Sequence, residues 1–394
     1  MITVAEAQDL CLAPLATSGA ETVALAEAAG RTLIHTAKST RPQPPFAASA
    51  MDGYAVAADA VAPNATFRVI GEAAAGHAWD GIVQAGEALR IFTGAPMPNG
   101  TSRVVIQEDV SRDGDIITLS DTLDTSDYVR PIGADFPDAF ELTAPRRLTA
   151  SDIALLAAMN VATVNVARRP HVALIATGDE LVMPGGDPRP DQIIASNIFG
   201  LKALIEANGG TADILPITAD TKDALHHTLT NAISADLIVT IGGASVGDHD
   251  LVGEVAQDFG LDRAFYKIAM RPGKPLMSGT MRDKPFLGLP GNPVSAMVCG
   301  HLFLLPMLRR MAGLTDALPQ VVTATLAADL TRNGLREHYM RAQITETEDG
   351  RMITAHSRQD SALLTVLSDA NALLIRPINQ PALQAGTSVK AIQL

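Results

Sequence analysis

The residues with the most obvious chemistry sit in short turns. Gly242, Gly243, Ser245 and Gly247 are followed at once by Asp248 and Asp250. Glycine removes the Cβ that holds backbone amides away from an anion, so this run makes a nest for phosphate or carboxylate. The two aspartates add hard oxygen ligands for a cation. His249 between them reads as a turn residue rather than a ligand. Thr177, Gly178, Asp179 and Glu180 repeat the combination of a glycine with adjacent carboxylates, which can hold a cation; Asp179 alone can equally be a helix N-cap. Asp220, ahead of Thr221 and a helical stretch, reads in isolation as an N-cap. Positive charge is set three residues apart at Arg271 and Lys274, on a loop stiffened by Pro272, Gly273 and Pro275. Such a loop orients an oxyanion cradle at little entropic cost, although an Arg and Lys pair can also be two solvated surface cations. Finally Pro290, Gly291, Asn292, Pro293 and Ser295 leave a strand and open a helix, whose free amides and hydroxyl suit an oxyanion.

Each turn follows a short apolar run: HVALIAT, ADILPIT, ADLIVTI and KPFLGL. The runs are too continuous for half-exposed strands and alternate with helical stretches, which predicts a central parallel α/β sheet domain over residues 168–316. Ligands of open parallel sheets bind beyond the carboxyl ends of the strands, so the turns are expected to meet at one rim. Within the helical stretches, NIFGLKALIEANGG ends in a glycine pair suited to a C-terminus, and Pro306 predicts a kink or break. The assembled features suit a metal-assisted reaction on a phosphorylated substrate with a second small anion present. No GxxxxGK[ST] phosphate loop and no HExxH metal motif occurs.

The flanks read differently. Residues 3–16 are helical in pattern and residues 21–36 begin as a strand. A proline-rich run at 41–45 changes the rhythm, and from Tyr54 to Val110 short strands alternate with turns. Residues 134–166 return to helical character, with Thr149 or Ser151 as N-cap. After Pro319 come five short strands. The expected partition is a discontinuous α+β linker domain (1–38 and 134–167), an all-β insert (39–133), the α/β domain and a small β-barrel-like domain (317–394).

At 394 residues the chain is long enough for several cores. With 30 Lys+Arg against 43 Asp+Glu its net charge is -13, which repels nucleic acid and anionic lipid and requires any anionic ligand to find a locally positive pocket. Two cysteines, Cys11 and Cys299, are too few for a disulfide framework or a thiolate metal site, and a reducing cytoplasm fits. Neither a secretion signal nor a membrane span is expected.

Seven blocks, PFAASAMDGYAV, RIFTGAPMPNG with VVIQEDV, VRPIGADF, ATGDELV, GGASVGDHD, MRPGKP and GLPGNPVS, occur in one order. In this the chain closely resembles the molybdopterin molybdenumtransferases, the MoeA and gephyrin E-domain family. The resemblance implies insertion of molybdate into the dithiolene of adenylylated molybdopterin, with Mg2+-dependent release of AMP, by an elongated homodimer whose clefts lie near the subunit interface. It implies a molybdate cradle of Arg271, Lys274, Pro275, Ser295, Arg341 and Ser361, the last two aligned through YMRA and DSAL. Arg271 stands where many relatives have lysine, exchanging a point charge for a planar fork. Glu180, Asp220 and Asp250 fall on the metal side, with Asp220 or Asp250 alternatively positioning water. Gly242, Gly243, Ser245 and Asp248 surround the phosphates, Thr177, Pro290, Gly291 and Asn292 bind substrate, and Asp52, Thr93 and Asp135 complete the cleft. Further partners implied are the adenylyltransferase of the preceding step and recipient molybdoenzymes. The resemblance leaves two alternatives, adenylylation of molybdopterin and a gephyrin-like scaffold.

Overall fold

The computed structural model describes residues 1–243, 251–348 and 350–394. Its central sheet runs in the order Thr211–Ile214, His171–Ala176, Leu237–Ile241, Lys284–Leu289, Met277–Met281, Leu261–Tyr266. The first four strands are parallel. The last two extend the edge antiparallel, through a tight turn at Arg282 and Asp283, which both have positive φ. The continuous apolar runs are explained by burial on both faces. Leu174, Val239 and Leu287 point into one core, whereas Ile175, Ile238 and Phe286 point into the other. Helices Asn197–Ala207 and Pro293–Cys299 cover the first face; Lys222–Ala232 and Leu251–Asp258 cover the second.

Of the kink or break expected at Pro306, the structure shows an interruption of the α-helix just ahead of it rather than an end. Helix Pro293–Cys299 passes through a wide π-type turn, Gly300–Leu304, into helix Leu305–Met311 with helical dihedrals throughout. The wider turn accommodates the amide that proline lacks.

The first helix, Val4–Leu12, is contiguous in sequence with the linker domain, yet its apolar face lies elsewhere. Val4, Ala7 and Cys11 are buried in the core of the α/β domain. Gln8 donates to the Leu302 carbonyl at 2.9 Å, and Ile2 bridges Ile268. The linker domain proper is a four-stranded sheet in the order Ala20–Ala24, Thr163–Ala167, Thr32–Leu33, Arg146–Arg147, backed by helix Ala150–Ala158. Thr149 is the N-cap, in a reciprocal box with Asp152. The expected helical character of 134–166 is confined to this one helix, because the flanking segments pair as strands.

The insert is a six-stranded sheet, Arg103–Ile106, Gly53–Val56, Glu87–Ile91, Thr66–Ala73, Ile116–Leu119, Val110–Asp113. All five C-terminal strands form as expected. Glu337–Thr347, Gly350–Ala355, Val321–Leu326, Ser388–Gln393 and Ala372–Arg376 close into a barrel, the last pairing back with the first. A two-residue strand of the α/β domain, Met270–Arg271, adds to it in parallel, with Arg271 in register with His338. Among the described residues no helix is long and apolar enough to cross a membrane.

Candidate active site

Beyond the carboxyl ends of the parallel strands lies a cavity of about 620 Å³. Thr177 and Glu180, Gly242 and Gly243, and Pro290, Gly291 and Asn292 line it from three successive turns, joined by Pro275 of the cationic loop and Ala362 of the C-terminal domain. The expected convergence at one rim is therefore present for these residues.

The glycines are needed for space. A Cβ on Gly242 would stand 2.8 Å from the Thr177 carbonyl oxygen, and one on Gly243 would stand 2.2 Å from Val252 Cγ2; both have positive φ, +92° and +65°. Thr177 is 3% exposed, and its Oγ1 has no partner among the described residues, which leaves a hydroxyl free on the cavity floor. The remainder of that turn, including Ser245, Asp248, His249 and Asp250, lies outside the described residues.

On the acidic side the Asp220 amide donates to Asp179 Oδ1 at 3.1 Å. Burial, then the carboxylates of Asp179 and Glu180, raise Asp220 above the usual carboxylate range. Neither aspartate caps a helix. Thr221 caps Lys222–Ala232 through its own side chain, since the hydroxyl reaches Ala224 N, and Asp179 precedes the short strand Leu181–Val182. The Glu180 carboxylate folds over Gly178, where a Cβ would meet Oε2 at 2.2 Å. Among the described residues no three His, Cys, Asp or Glu side chains are grouped closely enough to hold a metal.

On the cationic side the loop is fixed from both directions. Lys274 O accepts from the amides of Ile268 and Leu276, and Gly273 (φ +111°) lies so close to Cys299 that a Cβ would sit 2.6 Å from Sγ. Ser295 is buried in the first turn of Pro293–Cys299. Ser361 links this turn to the barrel: its carbonyl accepts from Val294 N and its Oγ from Asn292 Nδ2, both at 3.0 Å. Arg341 is 0% exposed. Its Nη2 donates to the Asp360 carbonyl at 2.9 Å, while Nε and Nη1 have no partner among the described residues. Burial first, then Arg271, pull its pKa below the ordinary guanidinium range. A buried cation with two donors unpartnered among the described residues, beside a second arginine, can accept an anion.

Among the described residues, nine expected ones do not line this cavity in the single chain: Asp220, Arg271, Lys274, Ser295, Arg341 and Ser361 around it, and Asp52, Thr93 and Asp135 on other segments. Asp52 Oδ1 accepts from the amide and the hydroxyl of Thr93, each at 2.8 Å, and those bonds hold its carboxyl below the usual range. Both residues lie on the insert, and neither they nor Asp135 line the cavity. Conversely, Ile193, Ile194, Ser196 and Asn197 form a wall that the turn-by-turn reading missed. Asn197 donates to the Gly291 carbonyl at 2.7 Å and so positions the Pro290 turn. Its only signal was a polar pair opening an ordinary helix.

The chain matches three families in order: MoeA N-terminal region (domain I and II) over residues 2–160, a probable molybdopterin binding domain over 173–310, and MoeA C-terminal region (domain IV) over 323–394. It is 35% identical to the molybdopterin molybdenumtransferase of Nostoc sp. over 95% of this chain and 88% of the relative. It is 32% identical to that of Haemophilus influenzae over 93% and 91%. In structure it is similar to a molybdopterin biosynthesis MoeA protein from Pyrococcus horikosii, with a TM-score of 0.83 at 28% identity over 100% of this chain and 99% of that one. With the cavity, its cationic cradle and these full-length likenesses together, the chain belongs to the molybdopterin molybdenumtransferase family.

Proposed function

We propose that the 620 Å³ cavity is where this transferase inserts molybdenum into molybdopterin during molybdenum cofactor biosynthesis, acting on adenylylated molybdopterin and molybdate with release of AMP. The observation that carries the assignment is Arg341. Its two donors, unpartnered among the described residues, are buried beside the 360–362 segment, whose Asp360 carbonyl holds Nη2 and whose Ala362 lines the cavity. Molybdate is a tetrahedral dianion, and meeting a polyanionic substrate in a low-dielectric cleft demands fixed positive charge. Arg341, Arg271, Lys274 and Ser295 supply the donors, with Pro275 shaping the edge. Thr177 Oγ1 and the amides around Gly242 and Gly243 face the phosphates of the adenylylated substrate.

The carboxylates of Asp179, Glu180 and Asp220 are hard oxygen donors suited in type to a divalent cation, although among the described residues they are not grouped closely enough to hold one by themselves. Glu180 and Asp220 would hold Mg2+, completed by Asp250. Bound there, it would neutralise charge on the pyrophosphate. Asp220, whose pKa burial and the neighbouring carboxylates raise, could alternatively orient the water.

The remote position of Asp52 and Thr93 supports a homodimer in which the insert of one subunit completes the cavity of the other, with Asp135 beside it. The preceding adenylyltransferase and recipient molybdoenzymes are the partners such a product requires.

The direct test supplies adenylylated molybdopterin with and without molybdate and measures AMP. Molybdate-stimulated release is expected. ATP-dependent adenylylation of metal-free molybdopterin, with no molybdate effect, would assign the preceding step instead.

A further inference from the structure

A second positive site lies away from the cavity, where the linker domain meets the α/β domain. The crevice there is bordered by Arg31 and Arg147 from the linker sheet, Arg168 and Arg169 from the connecting segment, and Arg309 near the end of helix Leu305–Met311; among the described residues no acidic side chain lines it. Two of these cations are neutralised, Arg31 by Glu21 and Arg168 by Asp236. Arg147, Arg169 and Arg309 make no ion pair among the described residues. In a chain of net charge -13, three unpaired guanidinium groups at one joint are not a consequence of composition.

The arrangement is also costly without a ligand. Arg309 is half-buried and reaches only the Ala317 and Leu318 carbonyls, at a long 3.4 Å each. Burial, then the facing Arg147, push it below its ordinary range, and Asp316 offsets this only in part. Like charges from two domains are thus held together across a seam. At its floor the crevice has room for one water-sized group, about 20 Å³, while Arg147 and Arg169 are exposed at the mouth and can move onto a ligand. Planar guanidinium forks pair naturally with the faces of a tetrahedral oxyanion.

We propose that this crevice binds a small tetrahedral oxyanion between Arg147 of the linker domain and Arg309 of the α/β domain, with Arg169 closing over it. One oxygen points to the floor and the others meet the guanidinium groups. The bound anion bridges the two domains and fixes the angle between them. Since the insert is carried on the linker domain, the anion thereby sets where the insert stands. Inorganic phosphate, molybdate and the phosphoryl group of a nucleotide share the required chemistry.

The site is tested in the full-length Lys274→Ala protein, which weakens the cavity cradle, by calorimetric titration with phosphate, molybdate and AMP in separate arms. Phosphate or molybdate is expected to bind, and Arg147→Gln or Arg169→Gln added to Lys274→Ala is expected to raise Kd roughly tenfold, the loss of one charge-assisted bond. Binding by AMP alone would assign the site to a nucleotide phosphoryl group. Two exposed positions are used so that a folding defect in one does not decide the matter. Unchanged affinity in both variants, or no binding of any anion to the Lys274→Ala protein, would overturn the proposal.

Discussion

Asn292 donates from Nδ2 to Ser361 Oγ at 3.0 Å, joining the first residues of a helix in the α/β domain to a loop of the C-terminal barrel 69 positions away. The neighbouring amide of Val294 binds the Ser361 carbonyl, so one serine is held by two atoms of the same turn. The proposed cradle would consequently be shared between domains, with Arg341 coming from the barrel and Lys274 from the α/β domain.

Asn292→Ala should therefore loosen the junction without emptying a core. The expected result is a molybdate half-saturation raised roughly tenfold, the value of one hydrogen bond at the upper end of its range, with an almost unchanged Tm. Steady-state AMP release with molybdate varied measures it.

Arg341→Met separates binding from stability. Replacing a buried charge by an apolar chain of similar length is often neutral or stabilising, so Tm should hold or rise. Molybdate use should fall by about 100-fold, because the charged donors are gone. A large drop in Tm would show that Arg341 is structural rather than a ligand.

Asp220 makes a pH prediction whose sign is opposite to that of a salt-bridged carboxylate. Its pKa is raised in the folded protein, so ionised Asp220 weakens the native state above the carboxylate range. As pH falls through its folded pKa the native state takes up the proton first and the penalty disappears. Asp220→Asn should accordingly melt higher than the wild type at pH 7, with the difference closing below about pH 4. If Mg2+ binds these carboxylates, it will raise the Tm of the wild type more than that of the variant. Thermal melts across pH, with and without Mg2+, check both points.

Gly273→Ala places a methyl group where Cys299 Sγ already stands and strains a φ of +111°. Overpacking of this kind costs about 1–3 kcal/mol, and the displaced loop carries Lys274. Both Tm and molybdate affinity should fall, and adding Cys299→Ala should restore part of each. A double-mutant cycle on Tm measures the recovery.

Asp52→Ala and Lys274→Ala should each be inactive alone, whereas mixed dimers should recover activity if the insert serves the neighbouring subunit. Random pairing leaves one intact cavity in half of the dimers, on the order of a quarter of wild-type turnover. No recovery on mixing refolded subunits would place Asp52 in its own chain's site.

The sheet was legible because burial on both faces leaves an unbroken apolar run, and the turns because glycine and proline act through the backbone, whatever surrounds them. The barrel was legible for the same local reasons. What failed depended on distant partners. The N-cap reading of Asp220 failed because Thr221 competes one position later. Within 134–166 the helix expected around Ser151–Asn160 forms, but Glu141–Leu142, Arg146–Arg147 and Thr163–Ala167 are strands because strands from residues 20–38 lie beside them. The Ile193 and Asn197 wall carried no local signal, since its role arises only when the Pro290 turn comes to rest against it.

The placement of helix Val4–Leu12 has a consequence for biosynthesis. This helix finds its apolar neighbours only after residues 261–311 have followed it, so the nascent chain carries an unsatisfied greasy face while they are being made. Removing these first dozen residues would leave a bare hydrophobic scar on the α/β domain while sparing the module beside them in the sequence. A truncated protein should therefore aggregate through its central domain.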